Sequence, residues 1–265
     1  MLFGSLINML GQIKGNGMNN TRARKWYLLI CFFACSCSPI YFPNVINTPL
    51  FTEKGQISAA ANFSFLGSLN IELNSFDLQS AMAATDNVAV MYNYSYGKMG
   101  RSADHDFHEH KFQEAGVGYY RTFFNKYNFE SFVGYGKGCS ETRNVGSADH
   151  RDREIKGDYD RWFFYPTIGF SMDLKGENRF DPERVEGGIT TRVCNLKWRN
   201  VEHNLKGTVL KENWYIEPAI FVRAGWKHFL FQFQSGQIYA LFKDDLVESS
   251  DGWLSFGIIF NFDLY

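Results

Sequence analysis

The stretch WLSFGIIFNFDL, residues 253–264, alternates large apolar side chains with small or polar ones. In an extended chain, one face would carry Leu254, Phe256, Ile258, Phe260, Phe262 and Leu264. The opposite face would carry Trp253, Ser255, Gly257, Ile259, Asn261, Asp263 and Tyr265. Because successive side chains of a β-strand point to opposite sides of the sheet, this period of two predicts a strand with one apolar face.

The same period of two recurs along most of the chain after Gly55. It predicts ten strands, at 56–65, 75–84, 87–97, 111–122, 128–138, 160–173, 184–198, 214–226, 228–239 and 253–264. Most of them have about ten to fifteen residues, whereas strands of soluble proteins usually have about five or six. A strand that crosses a membrane at a tilt needs about 9–11 residues. The strand lengths therefore favour a membrane-spanning barrel.

The connections between the predicted strands support the same interpretation. Long connections alternate with short ones, as in bacterial outer-membrane barrels, where short turns face the periplasm and longer loops face outside. The connection 174–183 is long for a periplasmic turn. We therefore predict an all-β fold over residues 55–265: a closed, antiparallel transmembrane β-barrel of about ten strands with up-and-down topology. An even number of strands places both termini in the periplasm.

Tryptophan placement agrees with a membrane barrel. The amphipathic tryptophan ring concentrates where hydrocarbon meets lipid head groups. The strand boundaries predict Trp162, Trp198, Trp214 and Trp253 at outer strand ends and Trp226 at an inner end. The alternative is a soluble, secreted β-barrel or β-sandwich, in which such aromatic residues pack a core or bind a ligand.

Several polar residues stand opposite apolar neighbours on the long strands: Glu130, Lys137, Glu217, Arg223, Gln232 and Gln234. In a membrane barrel these side chains would point into the lumen. Barrels of about eight strands are filled by side chains, so a ten-stranded barrel is not expected to hold a wide pore.

Composition excludes several other classes of protein. The chain has 265 residues, a formal net charge of −1 and a hydrophobic share of 45%. A near-neutral chain lacks the basic balance of a nucleic-acid binder, and the hydrophobic share is too high for a disordered chain. The mean hydropathy of −0.28 argues against a bundle of membrane-spanning helices.

The N-terminus has the pattern of a secretory signal. An apolar run at 26–34 follows a basic cluster, and it is too short to span a bilayer. Cys35 and Cys37 follow it, and either could be the lipidated cysteine of a lipoprotein; Cys37 is favoured because a polar segment begins directly after it. Cleavage without lipidation is the alternative. We therefore predict a signal segment at 1–37, within which 1–17 is an upstream extension.

The segment 38–54 contains Pro39, Pro43 and Pro49, whose spacing prevents a regular helix or strand. We assign it as a periplasmic tether between the signal segment and the barrel. A plug-like lead-in to the barrel is the other interpretation of this composition.

Five stretches carry a family resemblance that extends over most of residues 35–265. They are CSPIYFPN at 37–44, NTPLF at 47–51, EKG at 53–55, FDLQSAMAATDNVAVMY at 76–92 and GIIFNF at 257–262. Together they resemble small outer-membrane β-barrel proteins of the Bacteroidetes, many of which have a lipoprotein signal. The resemblance implies a place in the cell envelope and supplies no catalytic residues. The terminal Tyr265 resembles the C-terminal signal that the barrel-assembly machinery recognises.

A histidine-rich stretch falls in a predicted external loop. His105, His108 and His110 are competent ligands for zinc or a similar ion, although their spacing is loose and no scaffold fixes it. A solvated polar loop is the simpler interpretation, so we assign no metal and expect no cofactor.

Two Asp–His pairs occur in neighbouring predicted external loops. The sequence Ser-Ala-Asp-His places Asp104 beside His105 and, in its second copy, Asp149 beside His150. Outer-membrane proteases of the omptin type use rim Asp/His pairs to activate water, which makes a rim hydrolase the alternative function. The rest of the chain does not resemble an omptin, and we expect no catalysis.

The sequence therefore predicts a monomeric outer-membrane barrel with a structural, adhesive or small-solute role. Its expected partners are outer-membrane lipid and lipopolysaccharide, with the barrel-assembly machinery during biogenesis and no nucleic acid. Cys139 and Cys194 both fall toward the outer half of the predicted barrel, so a disulfide between them is possible.

Overall fold

The computed structural model describes residues 41–66, 74–99, 106–124, 126–144, 153–174, 182–204, 212–242 and 252–264. Eleven strands are described: β1 Gln56–Leu66, β2 Asn74–Ala83, β3 Val88–Met99, β4 Asp106–Phe123, β5 Tyr127–Asn144, β6 Arg153–Asp173, β7 Arg184–His203, β8 Glu212–Trp226, β9 Phe229–Gln237, β10 Tyr239–Ala240 and β11 Gly252–Asp263. No helix within these ranges is long and apolar enough to cross a membrane.

The strands form one closed sheet. Each strand from β1 to β8 pairs antiparallel with the next, β9 pairs with β11, and β11 pairs with β1. The closing pair runs from Gln56 opposite Asp263 to Leu66 opposite Trp253. The two-residue β10 pairs only with β8 and adds no strand to the ring. The predicted closed, antiparallel, up-and-down barrel of ten strands is confirmed.

The barrel has two ends, which we call the turn end and the loop end. The turn end carries the connections 84–87, 124–126, 174–183 and 227–228, together with the start of β1 and the end of β11. The loop end carries the other five connections. Apart from 174–183, the turn-end connections are the short ones, as the sequence predicted.

The strands β4 to β7 extend several residues farther toward the loop end than the sequence predicted. The extensions carry charged residues on their outer faces, where hydrophobic alternation gives no signal. Cross-strand ion pairs join these faces: Lys98–Glu109 at 3.6 Å, Glu141–Lys156 at 3.5 Å and Arg143–Glu154 at 3.6 Å. Opposite charges on facing strands stabilise such a pairing.

Between these charged extensions and the turn end, the exterior of the barrel is mainly apolar. Exposed large side chains include Phe63, Leu78, Val90, Val117, Val133, Phe164, Ile168, Ile189, Ile220, Val222, Phe231, Phe256 and Phe260. The alternate positions face the lumen and are polar, as expected for Glu130, Glu217, Arg223, Gln232 and Gln234, all of which are buried. Strand alternation therefore assigned these faces correctly.

Three residues face the side opposite to the one predicted. Lys137 was expected in the lumen, but it is exposed on the outer wall, in register with the outward-facing Gln113 and Asp160. Trp198 and Trp253 were expected among lipid head groups, but both are buried in the lumen. Their positions along the strands were correct, whereas a place at a strand end does not determine which face a ring occupies.

The tether assigned to 38–54 is wrong for residues 41–51. These eleven residues, which we call the lumen segment, are all buried inside the barrel. Phe42 lies near the loop end against β4, and Phe51 lies near the turn end against Tyr120. The segment leaves the lumen through Leu50, whose φ of 57° is in the left-handed region, and Gly55, whose φ is 86°. Its structure corresponds to the plug-like lead-in.

Candidate functional site in the lumen

Asn44 is the centre of the contacts between the lumen segment and the barrel wall. Its side-chain oxygen accepts hydrogen bonds from Arg161 at 2.6 Å and Arg192 at 2.9 Å. Its amide nitrogen donates to Glu114 at 3.0 Å, and Arg192 also donates to its backbone carbonyl at 3.0 Å. All hydrogen-bonding atoms of this side chain are therefore directed to charged groups of three different strands.

The charged groups around Asn44 form a compact buried network. Arg161 contacts Glu114 at 2.5 Å, and Arg192 contacts Glu217 at 2.5 Å and Glu114 at 3.8 Å. All four side chains are 0–1% exposed. A buried ion pair gains little over an apolar pair of similar shape, but removal of one partner leaves an uncompensated charge. The two arginines and two glutamates therefore depend on one another for compensation of their buried charges.

Tyr41 links the network to the amino end of the lumen segment. Its hydroxyl donates to Glu217 at 2.8 Å and accepts from Arg161 at 2.7 Å. Its ring packs against Tyr159 and Tyr215, with centroid distances of 6.1 and 4.8 Å.

A second ionic contact holds the segment nearer the turn end. Arg223 donates to the hydroxyl of Thr48 at 2.6 Å and pairs with Glu186 at 3.2 Å. The same guanidinium donates to Gln232 at 2.8 Å, and Gln232 donates to Asn62 at 2.8 Å. This chain of contacts connects the lumen segment to β1, β7, β8 and β9.

Wall side chains also satisfy the backbone of the lumen segment. Gln234 accepts from the Ile46 amide at 2.9 Å and donates to its carbonyl at 3.1 Å. Three more wall side chains donate hydrogen bonds to backbone carbonyls of the segment: Gln79 to Val45, Tyr165 to Asn47 and Asn128 to Leu50. The Phe51 amide donates to Glu130. Buried peptide groups need such partners, and here side chains replace the missing sheet ladder.

The lumen is consequently filled rather than open. A cavity of about 500 Å³ lies at the turn end where the lumen segment leaves the barrel. Its lining includes the charged residues Glu53, Arg184, Glu186, Lys227 and Asp263. Between this cavity and the loop end, the lumen segment and the polar wall side chains occupy the barrel interior.

A second polar group lies in the loop-end half of the lumen, on β2 to β5. His110 Nε2 is 3.3 Å from Ser75 Oγ and 3.4 Å from Ser95 Oγ. His110 Nδ1 is 3.2 Å from His108 Nε2, and His108 Nδ1 is 2.6 Å from Thr142 Oγ1. We call these five residues the Ser–His group. Sequence reasoning did not find it, although His108 and His110 continue the inward-facing alternation of Phe112 and Glu114.

Of the residues proposed from sequence as sites, the structure describes only His108 and His110. Both are buried in β4 rather than placed in an external loop, because β4 begins earlier than predicted. His105, the pairs Asp104–His105 and Asp149–His150, and the lipidation candidates Cys35 and Cys37 lie outside the described residues. No group of three or more His, Cys, Asp or Glu side chains is placed to hold a metal ion within the part of the chain described above.

Cys139 and Cys194 do not form the disulfide that the sequence allowed. Both thiols are free: Cys139 is exposed on the outer wall, and Cys194 is buried beside Glu217. We expect a maleimide to modify Cys139 in the folded barrel and to modify Cys194 only after unfolding. Mass mapping of labelled peptides measures both. Equal labelling of the two thiols in the folded protein would contradict this placement.

No protein-family model and no curated protein matches the chain. Among solved structures, it is similar to the translocator domain of the autotransporter NalP from Neisseria meningitidis, with a TM-score of 0.41, 8% identity and coverage of 92% of this chain and 95% of that one. LpxR from Salmonella typhimurium gives a TM-score of 0.37, 9% identity and coverage of 77% and 99%. The beta domain of the Bordetella autotransporter BrkA gives a TM-score of 0.35 and 9% identity, with coverage of 78% of this chain and 99% of that one. These values assign neither a family nor an activity to the chain.

Proposed function

We propose that this protein is an integral β-barrel of the bacterial outer membrane whose lumen is closed by its own residues 41–51. Its role is structural, adhesive or related to small solutes, and the closed form performs no catalysis. The observation that supports membrane insertion is the apolar exterior, which is continuous between aromatic residues near the two ends of the barrel. Lipid is the surrounding in which such a surface is stable.

Strand β8 shows the dimensions of this apolar band. Trp214 and Trp226 lie on its outer face twelve residues apart, and the exposed Ile220 lies midway between them. At about 3.3 Å per residue the two rings are about 40 Å apart along the strand. A strand tilt of about 35–45° reduces this distance to about 30 Å across the bilayer, which is the thickness of the hydrocarbon core.

The proposed orientation places the turn end in the periplasm and the loop end outside, because bacterial barrels keep their short turns inside. The start of β1 and the end of β11 are then periplasmic. The Bacteroidetes type, the lipoprotein signal and lipidation at Cys37 remain part of this proposal. They rest on the sequence resemblance and on the cysteines that follow the apolar run 26–34.

The outer wall near the loop end is the proposed contact surface for lipopolysaccharide. A shallow groove there is lined by Tyr94, Lys111, Lys137, Cys139 and Arg199, just beyond the apolar band. Cationic side chains at this level can bind the phosphate groups of an outer leaflet lipid. We also propose a monomer that needs the barrel-assembly machinery for insertion, and no nucleic-acid partner.

Two other functions are less well supported. A soluble ligand-binding barrel requires a polar exterior and an open interior, and the described part of the chain has the reverse arrangement. A rim hydrolase with the Asp–His pairs needs residues outside the described ranges. Replacement of His105 and His150 by Ala, followed by assays of peptide and lipid hydrolysis, tests it directly.

A charge on the lipid-facing side tests the membrane proposal. We expect Ile220→Arg to lower the free energy of unfolding in lipid vesicles by about 2–4 kcal/mol, because arginine would lie at the bilayer midplane. On the exterior of a soluble barrel the same change would cost within about 0.5 kcal/mol. Denaturant titration, with the heat-dependent gel mobility of the folded barrel as readout, measures the difference.

The matched control is Lys156→Ala, which removes an exposed cation from the charged loop-end part of β6. Its ion pair with Glu141 is solvent-exposed, so we expect a change within about 1 kcal/mol. Equal, small effects of both substitutions, together with solubility without detergent, would reject membrane insertion.

A further inference from the structure

The Ser–His group joins a hydroxyl pair to two imidazoles in one continuous hydrogen-bonded chain. In one of its two consistent proton arrangements, His108 donates from Nδ1 to Thr142, and His110 donates from Nδ1 to His108. His110 Nε2 is then an acceptor that faces Ser75 and Ser95. A serine hydroxyl, a base that accepts its proton and a third group that orients the base are the components of an activated nucleophile.

The wall of the barrel fixes the position of the base. Gly97 on β3 lies directly opposite His110 on β4, and a Cβ atom at Gly97 would be 2.2 Å from His110 Cε1. The imidazole therefore occupies space that the side chain of any residue other than glycine at position 97 would fill. Ser75 and Ser95 are hydrogen-bonded to each other at 3.2 Å, so one base serves both hydroxyls.

Phe42 of the lumen segment covers the two imidazoles. Its ring centroid is 3.9 Å from that of His108 and 5.5 Å from that of His110, nearly parallel to the latter. The ring thus occupies the space beside His108 and His110, and the remaining members of the group are also buried. An apolar group bound in place of this ring would lie against the two imidazoles, of which His110 contacts both serines.

We propose that the Ser–His group is a covalent acylation site for esters with an apolar acyl chain, with His110 as base and His108 as a positioning residue. The site becomes reactive when Phe42 leaves the imidazole faces. This inference goes beyond the proposed function, since it concerns the barrel with the lumen segment displaced at its amino end. Membrane insertion and a closed resting lumen do not depend on it.

The reaction is an acyl transfer to serine. The hydroxyl of Ser75 or Ser95 gives its proton to His110 Nε2, and the serine oxygen forms a bond to the ester carbonyl carbon. The bond between that carbon and the alkoxy oxygen breaks, and the departing alkoxide takes the proton from His110. The products are an acyl-serine and a free alcohol, and no oxidant, reductant or metal is required.

An alkyl fluorophosphonate tests the site, because serine attack at phosphorus expels fluoride in the same geometry. The probe is added to the folded full-length barrel in detergent, as wild type and as Phe42→Ala. Mass mapping is expected to show one adduct per chain, at Ser75 or Ser95, formed at least about tenfold faster in Phe42→Ala. The further change His110→Ala should slow it by about 100-fold or more, which is the contribution of a positioned base.

The role of His108 has its own readout. Glutamine can accept from His110 and donate to Thr142, so in the Phe42→Ala background His108→Gln should keep most of the labelling rate and His108→Ala should lose it. Heat-dependent gel mobility confirms that each variant is folded, and Phe42→Leu replaces Phe42→Ala if the latter does not fold. A folded variant with Phe42 replaced that gains no serine adduct overturns the proposal. So does labelling that is unchanged by His110→Ala.

Discussion

Replacement of Arg192 by methionine is expected to lower the free energy of unfolding of the barrel by about 3–5 kcal/mol, since it leaves a buried carboxylate uncompensated. Arg192 is the main partner of Glu217, and it donates two hydrogen bonds to Asn44. Methionine keeps most of the volume, so the loss measures charge and hydrogen bonding rather than a cavity. Denaturant titration in detergent or lipid, followed by heat-dependent mobility, measures it.

Two variants make this result specific. Arg143→Met removes an arginine that pairs with Glu154 at 3.6 Å, and both side chains are solvent-exposed. We therefore expect the free energy of unfolding to change by less than about 1 kcal/mol. The double replacement of Arg192 and Glu217 by methionine should recover part of the loss, because neither charge is then left unpaired. If the double variant is less stable than Arg192→Met, Glu217 has another compensating partner and the proposed mutual dependence is incorrect.

The second large effect concerns the lumen segment. Deletion of residues 41–51 is expected to open a narrow ion-conducting path and to raise the conductance of reconstituted barrels by about tenfold or more, because these buried residues occupy the space between the polar side chains of the wall. Planar bilayer recordings of the wild type should show no stable open state. If the deletion does not fold, Asn44→Ala, which removes the central hydrogen bonds of the segment, should show brief openings.

The charge of the lumen wall that the deletion would uncover gives a second test of this ion-conducting path. In the described strands, the buried charged side chains of the lumen are Arg161, Arg192 and Arg223 against Asp77, Glu114, Glu130, Glu186 and Glu217. The excess of carboxylates predicts a preference for cations, which Glu114→Gln should reduce in reversal-potential measurements. A silent deletion variant that is folded and inserted would show that the wall alone closes the lumen.

The fold could be predicted from the sequence because a single physical signal repeats on every strand. Alternation placed Phe256 outside and Gln234 inside without knowledge of any contact. The signal fails where both faces become polar, which is why β4 was expected to begin at 111 rather than at Asp106. It also fails for Trp198, since an aromatic ring is compatible with lipid head groups and with a packed lumen.

The candidate site was much less predictable. Its contacts join residues that are far apart in sequence, such as Arg161 with Glu114 and Arg192 with Asn44. These contacts depend on the stagger of neighbouring strands, which alternation within one strand does not determine. The prolines of residues 38–54 excluded regular structure correctly. They did not decide between a plug-like lead-in inside the barrel and a tether below it.

The direction of the lumen segment restricts the order of events during folding. Its carboxyl end continues into β1 at the turn end, while Phe42 points toward the loop end. Once β1 has joined β11, this segment can reach its partners only by passing lengthwise through a narrow polar channel. We therefore expect the segment to bind its partners while the sheet is still open, before β1 and β11 pair and close the barrel around it.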